Sequence, residues 1–480
     1  MSISLSEASR TAELAPLYEQ LRPRSGGPGR EDVALHQRAR LHAAMIEAVG
    51  EHGYGATTIR ELTALAGVST RTLYTQFAGK QDCFLSAYDI VVRRAARRIV
   101  AAQGSERDWR ARLRRAFEAF AREVVREPKA ARLALVEAFG AGPAAIERME
   151  HASGLFEAMV VTSFERAPDR LVPPPMVVKG IVAGVARVAR VRLLDGRSAE
   201  LPALADELLA WVLSYRSPAV ARLEGVELER RLARRGAVPR AGGVAGERHD
   251  RVEDGAGDAR TRILQAAAKI AASRGALELT PRSISAAAGV SGETFAELFD
   301  HCGECFLAGL EHVCTQALER ATRAGFAADE DWPDGVQRAL ATLVYQVATD
   351  PVLANVAFVE VFALGPAGVR CRESLMRGFA EALRAGAPPS QRPSELVAEA
   401  TVGAVWGIMH HYVAHGAASR LPALTGQLSY VALAPMLGAE DAIERIMTEQ
   451  TRGRASGRAS RASVRADSTA PNHKTSRNIP

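Results

Sequence analysis

The residues best equipped for chemistry stand close together near the start of the chain. Within the segment TTIRELTALAGVSTRTLYTQFAGK, from Thr57 to Lys80, lie Thr58, Arg60, Ser69, Thr70, Arg71, Thr72, Tyr74, Gln76 and Lys80. These are hydroxyls, a phenol, a carboxamide, guanidiniums and an ammonium. Only Glu61 opposes the cations, which leaves a local charge of +2. Short or forked donors of this kind reach phosphate oxygens and base edges when a helix lies in a DNA major groove. The plainer alternative is a three-helix packing module with a solvated charged face.

The spacing around these residues predicts the elements that position them. Leu41, Met45, Ile46 and Val49 recur at helical spacing and end before Gly53. Thr58 followed by Glu61 is a capping box that opens a second helix, on which Ile59, Leu62, Leu65 and Ala66 should form one buried stripe. Gly67 tolerates a left-handed turn, and Ser69 can cap a short third helix pinned by Leu73 and Phe77. Two short helices joined by a glycine turn, behind a longer support, make a helix-turn-helix. Lys80 then opens another helix, where ammonium and helix N-terminus together favour a phosphate.

The residues Gly53, Thr57-Thr58-Ile59, Ala66-Gly67-Val68-Ser69, Thr72-Leu73-Tyr74, Phe77 and Lys80 give a specific pattern. In it the segment resembles the DNA-reading domain of the TetR (tetracycline-repressor-like) family of bacterial transcriptional regulators. The resemblance implies dimers of all-helical subunits, with a small DNA-binding domain and a larger C-terminal domain that binds an effector and dimerises. It assigns phosphate contacts to Thr58, Thr72, Tyr74 and Lys80. Arg71 stands where many members have Gly or Ala, which implies a different base or phosphate contact.

The chain reads as built twice. GYGATTIRELTALAGVSTRTLYTQF, beginning at Gly53, is answered by GALELTPRSISAAAGVSGETFAELF, beginning at Gly275. Three further blocks follow in the same order, among them EAFGAGPAA against EVFALGPAG and ELPALADEL against RLPALTGQL. The second copy keeps Thr280, Pro281, Ile284, Gly289, Ser291, Thr294 and Phe299 for the frame. Yet Arg71 gives way to Glu293, Tyr74 to Ala296, Thr75 to Glu297 and Lys80 to Cys302, and residues 280–302 carry −2. Carboxylates facing a polyanion repel it. The second module is therefore expected to have lost DNA binding and to persist as packing.

The expected fold class is all-α: two tandem TetR-like units, each a three-helix helix-turn-helix domain followed by a larger helical ligand-binding and dimerisation domain. The expected boundaries are a flexible arm over 1–31, with a short helix around Leu14 to Leu21, and a DNA-binding domain over 32–96. A regulatory domain follows over 97–220, then a linker over 221–257. The degenerate module spans 258–318, a second regulatory domain 319–445 and a basic disordered tail 446–480. Apolar runs at helical period, such as Leu113, Phe117, Phe120 and Val124 or Leu340, Leu343, Val344 and Val347, fill the regulatory regions. Sparse charge there points to a small, mostly apolar effector.

Two clusters have ligand chemistry. His301, Cys302 and Cys305, with His312 and Cys314 beyond, form a His-Cys-x-x-Cys that can chelate zinc or exchange thiols. Drift within a duplicated module explains it more simply. His411 and His415 lie one turn apart, beside His410, but no carboxylate stands near them in sequence, so histidines lining a pocket or interface are the preferred reading. Neither metal nor cofactor is assigned. Glu137 and Glu360, at matching positions, read as structural acids. No phosphate-cradling Gly-rich loop, Gly-x-Ser-x-Gly or His-Glu-x-x-His occurs in the sequence, so an enzyme is not expected.

Composition sets the remaining limits. At 480 residues and 47% hydrophobic, the chain has material for several domains, and aromatics at 5% with abundant alanine favour helices. The formal charge of +6 equals the surplus of 451–480 alone, where seven basic residues face Asp467. Such a tail adds salt-sensitive, sequence-blind attraction to DNA. No signal-like start or long apolar run occurs, so a cytoplasmic protein without membrane contact is expected, and its five cysteines are expected to be free of structural disulfides. As partners, the reading names double-stranded DNA, the effector, and either a homodimer or an intrachain pseudo-dimer. Two chains, each bringing residues 57–80 to successive major grooves, are the preferred assembly, because one competent module alone binds a half-site weakly. The function expected is a sequence-specific transcriptional regulator, a repressor released by its effector. The alternative is a ligand-sensing or protein-interaction scaffold that no longer binds DNA.

Overall fold

A computed structural model describes residues 30–104, 106–218, 255–326 and 331–448. The expected arm helix around Leu14 to Leu21, most of the linker and the basic tail beyond 448 lie outside the described residues. All regular structure described is helical. The first half runs α1 (Arg30–Ala56), α2 (Ile59–Ala66), α3 (Thr70–Gln76), α4 (Lys80–Gln103), α5 (Trp109–Arg126), α6 (Pro128–Leu135), α7 (Pro143–Glu165), α8 (Pro175–Leu194) and α9 (Ala205–Leu213). The second runs α10 (Gly255–Arg274), α11 (Pro281–Ala288), α12 (Gly292–Leu298), α13 (Cys302–Gly325), α14 (Trp332–Thr349), α15 (Pro351–Phe358), α16 (Pro366–Ala385), α17 (Glu395–Ala414) and α18 (Thr425–Leu437).

The two halves follow one plan, down to the 3-10 turns Glu137–Gly140 and Glu360–Leu364 after α6 and α15. The boundaries expected at 96/97 and 318/319 fall inside α4 and α13, so each of these helices serves both the small module and the region behind it. Helix α10 begins three residues before the expected 258, and helix continues over 439–448, past the expected 445. Among the described residues no single helix is long and apolar enough to cross a membrane.

The halves pack on each other within the chain, chiefly through α8 and α17. Glycines permit the close approach. A Cβ at Gly407 would lie 2.3 Å from that of Ala183, and one at Gly184 would lie 2.6 Å from the Ala400 carbonyl oxygen. Phe139 and Phe362 stack across the join at 4.5 Å. Trp211 Nε1 donates to Thr401 Oγ1 at 3.1 Å, the Tyr215 hydroxyl donates to the Val431 carbonyl at 3.0 Å, and the Tyr430 hydroxyl to that of Tyr215 at 2.9 Å.

A buried ionic network completes the join. Glu373 accepts from Arg187 Nε and Arg190 Nη1, each at 2.9 Å, and pairs with its neighbour Arg372. Arg192 Nη1 donates to Glu399 at 2.7 Å, and Arg187 Nη1 to the Glu399 carbonyl at 2.7 Å. Burial alone would raise the Glu373 carboxyl, but the guanidiniums of Arg372, Arg190 and Arg187 hold it down at about 2. Burial lowers Arg372 to about 9, and its guanidinium lies over the rings of Phe139, Phe362 and Trp406.

Candidate nucleic-acid interface and the cavities behind it

The first small module is organised by its caps. Leu41, Met45, Ile46 and Val49 of α1 are wholly buried. Gly53, at φ 86°, turns the chain out of the helical path, and the Thr57 hydroxyl donates to its carbonyl at 2.8 Å. Thr58 closes the expected capping box: it accepts from the Glu61 amide at 3.2 Å while Glu61 accepts from the Thr58 amide at 3.4 Å. Gly67 adopts the left-handed conformation at φ 58°, and Ser69 accepts from the Thr72 amide at 3.1 Å to open α3. Leu73 and Phe77 are buried, as their spacing requires.

One residue of the expected α2 stripe faces elsewhere. Leu62 and Ala66 are buried and Ile59 is half-buried, but Leu65 is 54% exposed. Thr63 takes the inner position instead. Its hydroxyl bonds the Ile59 and Arg60 carbonyls, each at 3.0 Å, which satisfies a polar group inside the core. The buried arc is thus centred between Ala66 and Ile59, and Leu65 lies beyond its edge.

Outward from this frame, Thr58, Arg60, Ser69, Thr70, Arg71 and Tyr74 are exposed, and Thr72 and Gln76 are half-buried. Thr58 and Ser69 serve first as caps, and Thr72 Oγ1 lies 2.9 Å from Ser69 Oγ. Lys80 is more engaged than its sequence position implied. Its ammonium donates to the Tyr54 and Thr57 carbonyls, each at 3.0 Å, and lies 4.3 Å from the centre of the Tyr54 ring. Burial lowers its pKa from the usual lysine value. Lys80 therefore ties α4 to the end of α1, leaving one of its three donors for a phosphate.

Sequence reasoning missed several residues that hold this surface. Arg40 donates to the Gly67 carbonyl at 3.3 Å, and Arg38 lies over Phe77 at 4.6 Å. His42 bonds Ser86 Oγ at 2.9 Å, and burial lowers it to about 4. Their only signal was a place on α1 one turn from the apolar stripe. Glu137, expected to be structural, accepts from the Tyr54 amide at 3.1 Å and from Arg132 Nε at 3.1 Å. It joins the α1–α2 corner to the α6 end.

The second module repeats the frame. Thr280 accepts from the Ser283 amide at 3.1 Å, Gly289 sits at φ 65°, and Ser291 accepts from the Thr294 amide at 3.0 Å. Glu360 accepts from the Ala276 amide at 2.7 Å, as Glu137 does from Tyr54. Its surface differs: Glu293, Ala296, Glu297 and Asp300 are exposed there beside Arg282.

Behind the modules lie two cavities. The larger, about 300 Å³, runs among α4 to α8 and is lined by Val91, Phe117, Phe120, Met149 and Phe156, with Trp406 and His410 of α17 in its wall. Charged residues also reach this wall, among them Glu127, Lys179, Arg187 and Arg190, and each is ion-paired. The smaller, about 160 Å³, lies wholly in the second half, among Leu318, Leu340, Leu343, Phe358 and Met409. His410 bonds the Phe358 carbonyl at 2.9 Å and stacks on Trp406, a pocket histidine as expected.

The two sequence clusters separate. Cys302 and Cys305 sit on one face of α13, and His301 is the α13 cap, accepting from the Glu304 amide at 2.9 Å. Burial pushes the Cys305 and Cys314 thiols up to about 12, away from reactive thiolates. All five cysteines are free. His411 and His415, with no carboxylate near them in sequence, have one beside them in space: Glu150 of α7, brought from far along the chain.

Residues 41–87 match the bacterial regulatory proteins of the tetR family. The matched family is one of regulators rather than of enzymes. No curated protein matches the chain. Among solved structures it is similar to the fatty acid degradation regulator FadR from Bacillus halodurans, at 15% identity and a TM-score of 0.34, over 36% of this chain and 96% of that one. It is similar also to FadR from Bacillus subtilis, solved in complex with stearoyl-CoA, at 13% identity and a TM-score of 0.34, over 37% and 98%. A TetR family transcription regulator from Marinobacter aquaeolei VT8 matches at 21% identity and a TM-score of 0.30, over 38% and 96%.

Proposed function

We propose that the chain is a sequence-specific DNA-binding transcriptional regulator that reads DNA with its first helix-turn-helix and represses until a small molecule enters the cavity behind it. The observation that carries the reading is the α3 surface, where Thr70, Arg71 and Tyr74 are exposed on a capped helix held by buried Leu73. Thr72 and Gln76 flank them, Arg60 adds charge from α2, and the remaining Lys80 donor is available to a phosphate. Such a helix can lie in a major groove with its hydroxyls on phosphates and Arg71 on a base edge.

The reading includes a tandem duplication in which the second module has kept its frame and lost its contacts. It also replaces the two-chain assembly preferred on sequence grounds. The packing of α8 on α17 and the buried Arg–Glu network support pairing of the chain's own halves, so that one chain is one pseudo-dimer with one reading head.

Effector control follows from α4. Tyr88, Val91 and Val92 of this helix line the larger cavity, and Lys80 at its start holds the α1–α2 corner. A ligand that displaces α4 therefore moves the corner from which α2 and α3 are aimed. The cavity wall suits a mostly apolar molecule.

The test is selection of genomic fragments by the full-length protein at physiological salt, after unfolding and refolding to strip any carried ligand. The expected result is enrichment of a discrete sequence bound at least about a thousandfold more tightly than random DNA. Equal affinity for both would leave a ligand-sensing scaffold as the better description.

A further inference from the structure

Glu150, His411 and His415 come from opposite halves of the molecule and meet at the rim of the larger cavity. Each offers one ligand atom, and the three atoms lie within 4.8 Å of one another. His415 Nε2 is 3.2 Å from Glu150 Oε2, and His411 Nδ1 is 3.8 Å from Glu150 Oε1. Donor atoms around a tetrahedral zinc ion are spaced by about 3.3 Å, so small side-chain rotations would close the set. The two histidines are one turn apart, His411 in the last turn of α17 and His415 at its C-terminal cap, with ring centres 4.5 Å apart.

We propose that Glu150, His411 and His415 form a binding site for a divalent transition metal, zinc by its donor set, that clamps α7 of the first half to α17 of the second. The hydrogen bonding around the histidines fits this use. His415 Nδ1 lies 2.7 Å from the His411 carbonyl, a hydrogen bond that places the proton on Nδ1 and directs Nε2 at Glu150. The Lys179 ammonium is also close to His411. Lys179 itself is engaged by Glu157 at 3.0 Å.

Two imidazoles and a carboxylate supply the three protein ligands of an open zinc site and leave a fourth position for water. Glu150 and His411 also line the cavity, which puts that fourth position within reach of a small molecule there. The metal-free alternative is an ion pair between Glu150 and protonated His415. The site does not depend on the proposed DNA reading, and its test contains no DNA.

The experiment uses the full-length chain stripped with chelator and titrated with zinc, then with cobalt as a spectroscopic probe. The expected result is one zinc per chain, a thermal midpoint raised by the metal, and a tetrahedral cobalt spectrum lacking a thiolate charge-transfer band. Glu150→Gln and His415→Ala should each weaken binding at least about tenfold, since loss even of a group that only hydrogen-bonds a metal ligand costs that much, and should abolish the stabilisation by zinc. Both side chains are solvent-accessible, so these variants test the site and not the fold. Two results would overturn the proposal: no saturable zinc binding, or binding that survives both substitutions and is lost in the Cys302→Ser, Cys305→Ser double variant.

Discussion

Arg38 lies over Phe77 at 4.6 Å, and its counterpart Arg260 lies over Phe299 at 4.7 Å. Arg40 bonds the Gly67 carbonyl at the first turn, and Arg262 bonds that of Ala288 at the second. Asp82 accepts from the Ala78 amide at 2.9 Å, and Glu304 from that of Asp300 at 3.0 Å. The two modules thus agree in the interactions that hold them together. They part on the outer surface, where Glu293 stands in the place of Arg71, Ala296 in that of Tyr74 and Cys302 in that of Lys80. A frame needs its caps and its core whatever its use, whereas surface donors are held only by what they bind. That difference at the surface, with a shared frame, fits the packing role proposed for the second module.

Breaking the join between the halves gives the largest expected effect. Glu373→Gln leaves Arg187, Arg190 and Arg372 without their shared carboxylate and should cost about 3–5 kcal/mol, read by denaturant unfolding. Because Glu373 titrates far below an unfolded glutamate, the stability it supplies is fully present above about pH 4.5 and falls away toward pH 2. The wild type should therefore lose stability on acidification over that range more steeply than Glu373→Gln does.

Giving the first module the surface of the second comes next. Arg71→Glu with Tyr74→Ala should weaken binding to the selected sequence about a hundredfold or more by fluorescence anisotropy, with helicity unchanged. A loss of less than threefold would mean that α3 is not the reading helix. Glu137→Gln and Glu360→Gln remove matching ties. The first should cost about tenfold in DNA affinity, near the worth of a hydrogen bond to a charged group, and the second less than twofold. Equal losses would mean that both modules are used. The smallest effect belongs to Arg282→Ala with Thr294→Ala, expected to change affinity less than threefold. A larger loss would show that the second module still reads.

Much of the first module was legible because its signals are local. Thr58 with Glu61, Gly67 and Ser69 each act within four residues, and the α1 stripe is a single-helix property. Leu65 was misplaced since four apolar residues suggest a stripe wider than the helix buries, and Thr63 gave no apolar signal for its inner position. Lys80 was seen as a free cation because its carbonyl partners at Tyr54 and Thr57 depend on how α4 meets the corner. The join was least legible. Gly180, Gly184, Gly403 and Gly407 look like weak points in two helices until those helices are placed against each other. Glu150 likewise had no sequence link to His411 and His415, so the carboxylate of that triad emerged only in three dimensions.

The most direct test of the account is a hydroxyl-radical footprint of the selected fragment, with the mass of the complex measured by light scattering. The account predicts one chain per site, protection across a single major groove, and the same footprint for the Arg282→Ala, Thr294→Ala variant. Protection of two grooves about 34 Å apart, by two chains or by one whose second footprint disappears in that variant, would contradict a single reading head per chain.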